Sequence, residues 1–254
     1  RRLIFFFIFV LFAGLVVLGY FIQKGRKDML TDPYKAIPPS ASIVIETIDL
    51  QSFINTVTTE KGLIGEALKI KKFEAFSLKV RFLADHLNKP GYKKILTGNS
   101  AVIAFSISKK GKLESLLSAA VNSDAKIRHL KDALRDAGIK LINETEIRGN
   151  KILRLPYSII NKTDTAYFSI VSGLLVGSSS RETISDALYQ ITRDNDVRDQ
   201  PGFSRILMAA GKNEDKIFIV FDNLPLLLKP AFRQEHAVMA VKAGKYAGCT
   251  GGDI

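Results

Sequence analysis

The sequence predicts an α+β fold: an antiparallel sheet with helices packed on one face, preceded by a single N-terminal transmembrane helix. Three observations predict it. Short apolar or alternating runs separated by turn residues are typical of strands joined by hairpins. Amphipathic runs between these strands are typical of helices that cover a sheet. An uncharged run near the start of the 254-residue chain has the length of a membrane span.

The run from Leu3 to Ile22 reads LIFFFIFVLFAGLVVLGYFI and predicts a membrane anchor. At about 1.5 Å per residue it spans about 30 Å, the thickness of a bilayer core, and a helix satisfies its own backbone polar groups. A cleaved signal peptide is the alternative, but its apolar region is usually about 7–15 residues long and ends in small residues. The sequence Gly19-Tyr20-Phe21 does not fit such a cleavage site. Residues 1–27 are therefore predicted to be the anchor with its basic flanks.

Basic residues lie on both sides of the predicted anchor: Arg1 and Arg2 before it, and Lys24, Arg26 and Lys27 after it. The positive-inside rule is therefore nearly balanced, and the three basic residues after the span slightly favour the opposite orientation. Because the chain starts without Met, we expect further residues before it and favour an N-terminus in the cytoplasm. This orientation predicts a single-pass protein of the inner membrane whose globular part is extracytoplasmic, in the periplasm.

The net charge of +12 would suit an anionic partner. Five basic residues flank the anchor, which leaves +7 for the rest of the chain. Dense lysine groups at 69–72 and 89–94 could form a nucleic-acid or anionic-lipid surface. However, no aromatic residues alternate with these lysines, as a stacking platform for nucleic acid requires. We interpret the lysines as solvated faces and expect no nucleic-acid partner.

The first half of the chain predicts a linker followed by strands and helices. Residues 28–40 contain three prolines and are predicted to be a linker without regular structure. A strand at 42–47, a helix after it and a long amphipathic helix at 65–87 follow. Two apolar runs flank the turn at 109–111 and predict a hairpin. The second of these runs also fits a short helix.

The second half predicts a helix over 124–138, because Ile127, Leu130 and Leu134 share one face and Gly138 suits the C-terminal end. Three strand candidates follow, which read IKLINETEI, KILRLPY and TAYFSIV.

A glycine- and serine-rich stretch, VSGLLVGSSSRETISDAL, raises the question of a phosphate loop or a nucleophilic serine. Ser172-Gly173 has the form of a two-residue hairpin turn, and Ser179 and Glu182 have the spacing of a capping box. A phosphate loop needs G-x-x-x-x-G-K-[ST], and a nucleophile elbow needs G-x-S-x-G with a final glycine where this chain has Arg181. The stretch therefore predicts a turn and a helix cap.

A weak internal repeat appears when the chain is shifted by 174 residues, so that SIVIETIDLQSFI aligns with KIFIVFDNLPLLL. Ile43 then matches Ile217, and Leu50 matches Leu224. The sequence predicts an α+β domain at 41–212 as a first repeat and the start of a truncated second repeat at 215–254.

No metal, cofactor or catalytic residue is predicted. The histidines His86, His129 and His236 share no ligand spacing, and the single Cys249 cannot build a thiolate site. The run RDNDVRDQ at 193–200 lacks the glycine of a calcium loop, and predicts Asx-turns and a cap for the next helix. The S-x-x-K pairs at 106–109 and 123–126 lack the companion motifs of penicillin-recognising enzymes.

The segments DPYKAIPPSASIVIE, FSIVSGLLVGSSSRETISDAL and DQPGFSRIL resemble the uncharacterised bacterial family called domain of unknown function 3352. The closing AGCTGGDI resembles a family strand that usually carries an aromatic residue at the place of Cys249. The resemblance covers most of residues 30–230. It implies a membrane-anchored, extracytoplasmic α+β protein with no assigned activity, and it supplies no catalytic residues.

These observations predict a non-catalytic binding or envelope-structural module, tethered to the membrane by residues 3–22 and contacting envelope proteins. Two alternatives stay open: a periplasmic hydrolase of unrecognised type, and a carrier of lipid or another hydrophobic ligand. A deep pocket with a serine or carboxylate would favour the hydrolase, and a long apolar tunnel would favour the carrier.

Overall fold

The computed structural model of the chain describes residues 32–58, 100–108, 111–121, 126–136, 143–159, 162–193, 195–200, 202–211, 214–225 and 249–253. Nine strands lie within these ranges: β1 Ile43–Thr47, β2 Ala101–Ile107, β3 Leu113–Ala120, β4 Asn143–Ile147, β5 Asn150–Ile159, β6 Lys162–Val171, β7 Leu174–Ser178, β8 Lys216–Val220 and β9 Cys249–Asp253. The α-helices there are α1 Leu50–Thr58, α2 Ile127–Asp136, α3 Arg181–Ile191 and α4 Phe203–Ala209. Short 3₁₀ helices form at Pro33–Ala36 and Val197–Asp199. The predicted α+β class is confirmed.

The nine strands form one sheet in the order β4-β5-β6-β7-β3-β2-β1-β8-β9, and every neighbouring pair is antiparallel. The two apolar runs on either side of residues 109–111 are the hairpin strands β2 and β3, so the alternative of a second-run helix is wrong. Between β6 and β7 the turn residues Ser172 and Gly173 have φ angles of 52° and 77°. Positive φ at both positions is the requirement of a type I′ turn, and the predicted hairpin is confirmed.

Helices cover both faces of the sheet, and the prediction of helices on one face is wrong. One hydrophobic core contains α1 and α2 residues such as Leu50 and Leu134. A separate core on the opposite face contains residues of α3 and α4, including Ile184 and Phe203. The physical reason lies in the strands: β2 reads AVIAFSI, without apolar–polar alternation, which is typical of a strand buried on both sides.

The two segments of the predicted repeat, β1 and β8, are neighbours in the sheet. They pair antiparallel with Ile43 opposite Ile219 and Ile45 opposite Ile217. The 174-residue shift instead matches Ile43 with Ile217 and Ile45 with Ile219. A local two-fold axis between the two strands produces this pattern. Leu50 after β1 and its equivalent Leu224 after β8 pack on the same face. The register is compatible with the repeat, and the division into 41–212 and 215–254 stays a prediction.

From Asp32 onward the predicted linker is packed against the domain. Pro33 begins a 3₁₀ helix, where a missing backbone N–H costs nothing. The prediction that this proline blocks regular structure is therefore wrong. Tyr34, Ala36 and Ile37 are buried in the core on the α3 side of the sheet. The predicted anchor at 3–22 and the predicted helix at 65–87 lie outside the described residues. Within the described ranges, no helix has the length and hydropathy needed to span a bilayer.

Candidate functional site

The serines of the glycine- and serine-rich stretch are used by the backbone, as predicted, but the cap is displaced by one residue. Helix α3 is capped by Ser180, whose Oγ accepts a hydrogen bond from the Thr183 N–H at 3.2 Å. The predicted pair Ser179 and Glu182 is therefore wrong as the capping box. Ser178 Oγ donates to the carbonyl oxygen of Ser115 on β3 at 2.8 Å. Turn and cap chemistry thus engages both Ser178 and Ser180.

The aspartate run likewise forms a cap. Asp196 and Asp199 make a reciprocal capping box around the 3₁₀ helix Val197–Asp199. The predicted turn-and-cap role is confirmed for these two residues, although they cap this short helix and not α4, whose N-cap is Gly202. Asp194 lies outside the described residues. Where the structure describes the chain, no group of three His, Cys, Asp or Glu side chains could hold a metal ion.

Arg198 joins this cap to the N-terminal segment. Its Nη1 donates to Asp32 Oδ2 at 2.5 Å, and its Nε donates to Asp196 Oδ1 at 2.8 Å. A second bond from Nη2 reaches the other oxygen of Asp196, so the carboxylate is held by two parallel bonds. The guanidinium carbon also lies 5.5 Å from the ring centroid of Tyr34. Hydrogen bonds to Asp196 and the charge of Asp32 raise the pKa of Arg198 above its usual value.

A second group of polar side chains connects the same N-terminal segment to strands β1 and β8. The Tyr34 hydroxyl donates a hydrogen bond to Glu46 Oε2 at 3.0 Å. The ammonium of the buried Lys216 donates another to the same oxygen at 3.1 Å. Glu46 and Lys216 are cross-strand neighbours on β1 and β8, where opposite charges stabilise the pairing. Burial and the adjacent Glu46 carboxylate raise the pKa of Tyr34 far above its usual value.

These two groups form the most extensive network of charged side chains in the described part of the chain. We name it the N-terminal clamp, and its members are Asp32, Tyr34, Glu46, Asp196, Arg198 and Lys216. Each member is hydrogen-bonded to another. A tyrosine with a raised pKa cannot serve as a base near neutral pH, and an arginine held by two carboxylates has few donors left for a substrate. The clamp is thus built to fix the chain segment 32–37 onto the domain.

Sequence reasoning missed the clamp because its members are far apart in the chain. Asp32 and Arg198 are 166 residues apart, and Glu46 and Lys216 are 170 residues apart. No spacing rule connects such residues. The available signals were local: Asp32-Pro33 initiates a turn, and Asp196-x-x-Asp199 has capping-box spacing.

The remaining predicted residues are dispersed. His129 is half-buried on α2, where its Nδ1 accepts a hydrogen bond from the Lys126 N–H at 3.2 Å. His86 and His236 lie outside the described residues. Cys249 is buried in β9, and burial raises the pKa of its thiol. Ser106 is on β2, opposite Glu114 of β3. Lys109 and Ser123 lie outside the described residues, so neither S-x-x-K pair is described in full.

The chain matches no protein-family model, and no curated protein or solved structure shows significant similarity to it.

Proposed function

We propose that the protein is a membrane-anchored, extracytoplasmic module that binds or organises components of the cell envelope without catalysis. The observation that carries this proposal is the N-terminal clamp. Among the described residues, this network of acids and bases connects to the segment that follows the predicted anchor, and its members are hydrogen-bonded to one another. Such a network favours attachment over reaction.

The clamp also supports a short tether. Only nine residues, 23–31, separate the predicted membrane helix from Asp32, which Arg198 holds at 2.5 Å. Fully extended, nine residues span about 30 Å. A fixed first residue and a short connection would keep the domain close to the membrane surface. The resemblance to domain of unknown function 3352 implies the same anchored arrangement and supports this proposal.

Alkaline extraction of membranes tests the anchor. Because residues 3–22 are uncharged and have the length of a bilayer span, the full chain should stay with the lipid after a carbonate wash. A chain lacking residues 1–27 keeps the whole clamp and should be released into the supernatant. Release of the full chain under the same wash would contradict the proposed anchoring.

A further inference from the structure

A second set of hydrogen bonds holds the N-terminal segment between the clamp and β1. The side-chain amide of Asn223 donates to the carbonyl oxygens of Pro39 and Ala41, both at 2.8 Å. The side-chain amide of Gln200 also donates to the Pro39 carbonyl, at 2.9 Å. In return, the Ser42 hydroxyl donates to the backbone carbonyl of Asn223 at 3.0 Å. We name Ser42, Gln200 and Asn223 the amide lock.

The amide lock satisfies the carbonyl groups of a turn. The Ala41 N–H closes this turn by donating to the Pro38 carbonyl at 3.1 Å. Ala41 is fully buried, and a buried carbonyl without a partner is costly. An asparagine amide has two N–H donors, and Asn223 places one on each of two carbonyls of the turn. Asn223 is therefore the central residue of the lock.

The clamp and the lock differ in their chemistry. The clamp is built on ion pairs, such as that of Arg198 with Asp32. Salt weakens ion pairs near the surface, and carboxylates lose their charge in acid. The groups of the amide lock are neutral, and amides neither gain nor lose a proton in this range. Conditions that weaken the clamp therefore leave the lock in place.

The clamp and the lock also hold different parts of the segment. The clamp holds residues 32–37, which contain the 3₁₀ helix. The lock holds residues 38–42, after which the chain enters β1. The Ser42 N–H already donates to the Phe105 carbonyl of β2 at 2.8 Å. Opening of the clamp thus leaves the chain attached at the lock, before it reaches the sheet.

We propose that residues 32–42 form a strap whose two attachments open independently, so that the amide lock keeps the strap on the domain while the clamp is open. This inference rests on the proposed function, in which the strap is the end of the membrane tether. An open clamp adds six residues, 32–37, to the nine-residue connection and extends its reach by about 20 Å. The clamp then sets how far the domain stands from the membrane, and the lock sets the limit.

Hydrogen–deuterium exchange of the full chain in detergent tests the proposal. Rates are read relative to the N–H groups of the buried strand β7, which report global unfolding. We expect R198Q to speed exchange of residues 34–37 about 10- to 100-fold, the scale of hydrogen bonds to a charged group, and to leave residues 40–42 unchanged. N223A should speed residues 40–42 about tenfold and leave residues 34–37 unchanged, because it removes neutral bonds of the lock alone.

The matched control is N150A, which removes an asparagine amide that donates to the Arg148 carbonyl in the turn between β4 and β5. It should leave both parts of the strap unchanged. Q200A removes one donor of the lock and provides the same readout if N223A does not fold. It should speed residues 40–42 alone, by less than N223A.

Two results would overturn the inference. One is faster exchange of both parts of the strap in a single variant, which would make the clamp and the lock one unit. The other is a lock variant that exchanges like N150A. Neither result bears on the anchoring, because exchange is measured without a bilayer. Release of the full chain by the carbonate wash would instead contradict the anchoring and leave the exchange pattern as it is.

Discussion

Arg198 is the residue on which attachment of the N-terminal segment most depends. It bridges Asp32 and Asp196 with side chains that are only 28%, 30% and 5% exposed. Removing it would leave the carboxylates of Asp32 and Asp196 without the cation that they share. A lysine in its place would supply one point charge but not the planar fork that binds Asp196 through two nitrogens. The sequence could not have shown this role, since a carboxylate 166 residues away supplies half of it.

We therefore expect Arg198→Gln to lower the free energy of unfolding by about 2–3 kcal/mol, the scale of hydrogen bonds to charged groups. Arg198→Lys should recover less than half of that loss. Urea denaturation of the purified chain measures both. Arg135→Gln is the control, because Arg135 is 72% exposed and lies 3.9 Å from its acid. A loss for Arg198→Gln no larger than for the control would show that the clamp does not hold the segment.

Glu144 on β4 gives the fold a modest pH dependence. Hydrogen bonds from Lys131, at 2.9 Å, and Lys151, at 3.3 Å, lower the pKa of Glu144 from its ordinary value of 4.5. A lowered folded-state pKa stabilises the protein above the unfolded-state value, and this contribution is lost as the pH falls through the folded-state value. The interaction is near the surface, so solvent screens it and limits its size.

Glu144→Gln should cost less than about 1 kcal/mol at pH 7 in low salt. The difference from the parent chain should shrink in 1 M salt and disappear at acidic pH, below the lowered pKa of Glu144. Urea denaturation at pH 7 and at a series of lower pH values measures it. A difference that stays constant over the whole series would point to lost packing in place of lost charge.

At the scale of elements, two glycines in the sheet are covered by phenylalanines on the neighbouring strand. A Cβ on Gly251 of β9 would lie 2.6 Å from the ring of Phe218 and 2.9 Å from Ile206 of α4. A Cβ on Gly177 of β7 would lie 2.6 Å from the ring of Phe168. Phe218 is fully buried, whereas Phe168 is only partly buried.

Gly251→Ala should therefore destabilise the protein by about 1–3 kcal/mol, the usual cost of overpacking a core. Gly177→Ala is the matched variant and should cost less, because the partly buried ring of Phe168 can shift at a lower cost than the fully buried ring of Phe218. Urea denaturation of the two variants side by side provides the measurement. Equal costs would mean that burial of the ring does not decide the effect.

The order and type of most described elements were predictable from sequence, and their packing was not. Turn residues such as Ser172-Gly173 fix a hairpin locally, and the apolar spacing of Ile184, Ala187 and Leu188 fixes one face of α3. Which face of the sheet a helix covers depends on contacts between distant segments. The continuous apolar run of β2 was the one local sign that both faces are buried. Among three successive serines, spacing alone placed the cap at Ser179 and not at Ser180.

At the scale of the whole molecule, the sheet places β8 between β1 and β9, strands that are far apart in the sequence. Strand β1 lies between β2 and β8, and the N-terminal clamp ties the segment before β1 to Lys216 of β8 and to Arg198. The domain is therefore expected to respond as one body to a pull at its N-terminus. We propose that this body lies outside the cytoplasm, attached by residues 3–22.

Labelling of an exposed cysteine in intact cells tests that claim most directly. The native Cys249 is unsuitable, because it is 6% exposed and burial raises the pKa of its thiol. Met208 on α4 is 77% exposed, so the full chain carrying M208C and C249A offers a reactive thiol at the surface. C249A alone is the control and should not react. We predict that a membrane-impermeant maleimide labels M208C/C249A in intact cells, whereas labelling that requires cell lysis, without denaturant, would place the domain in the cytoplasm and contradict the account.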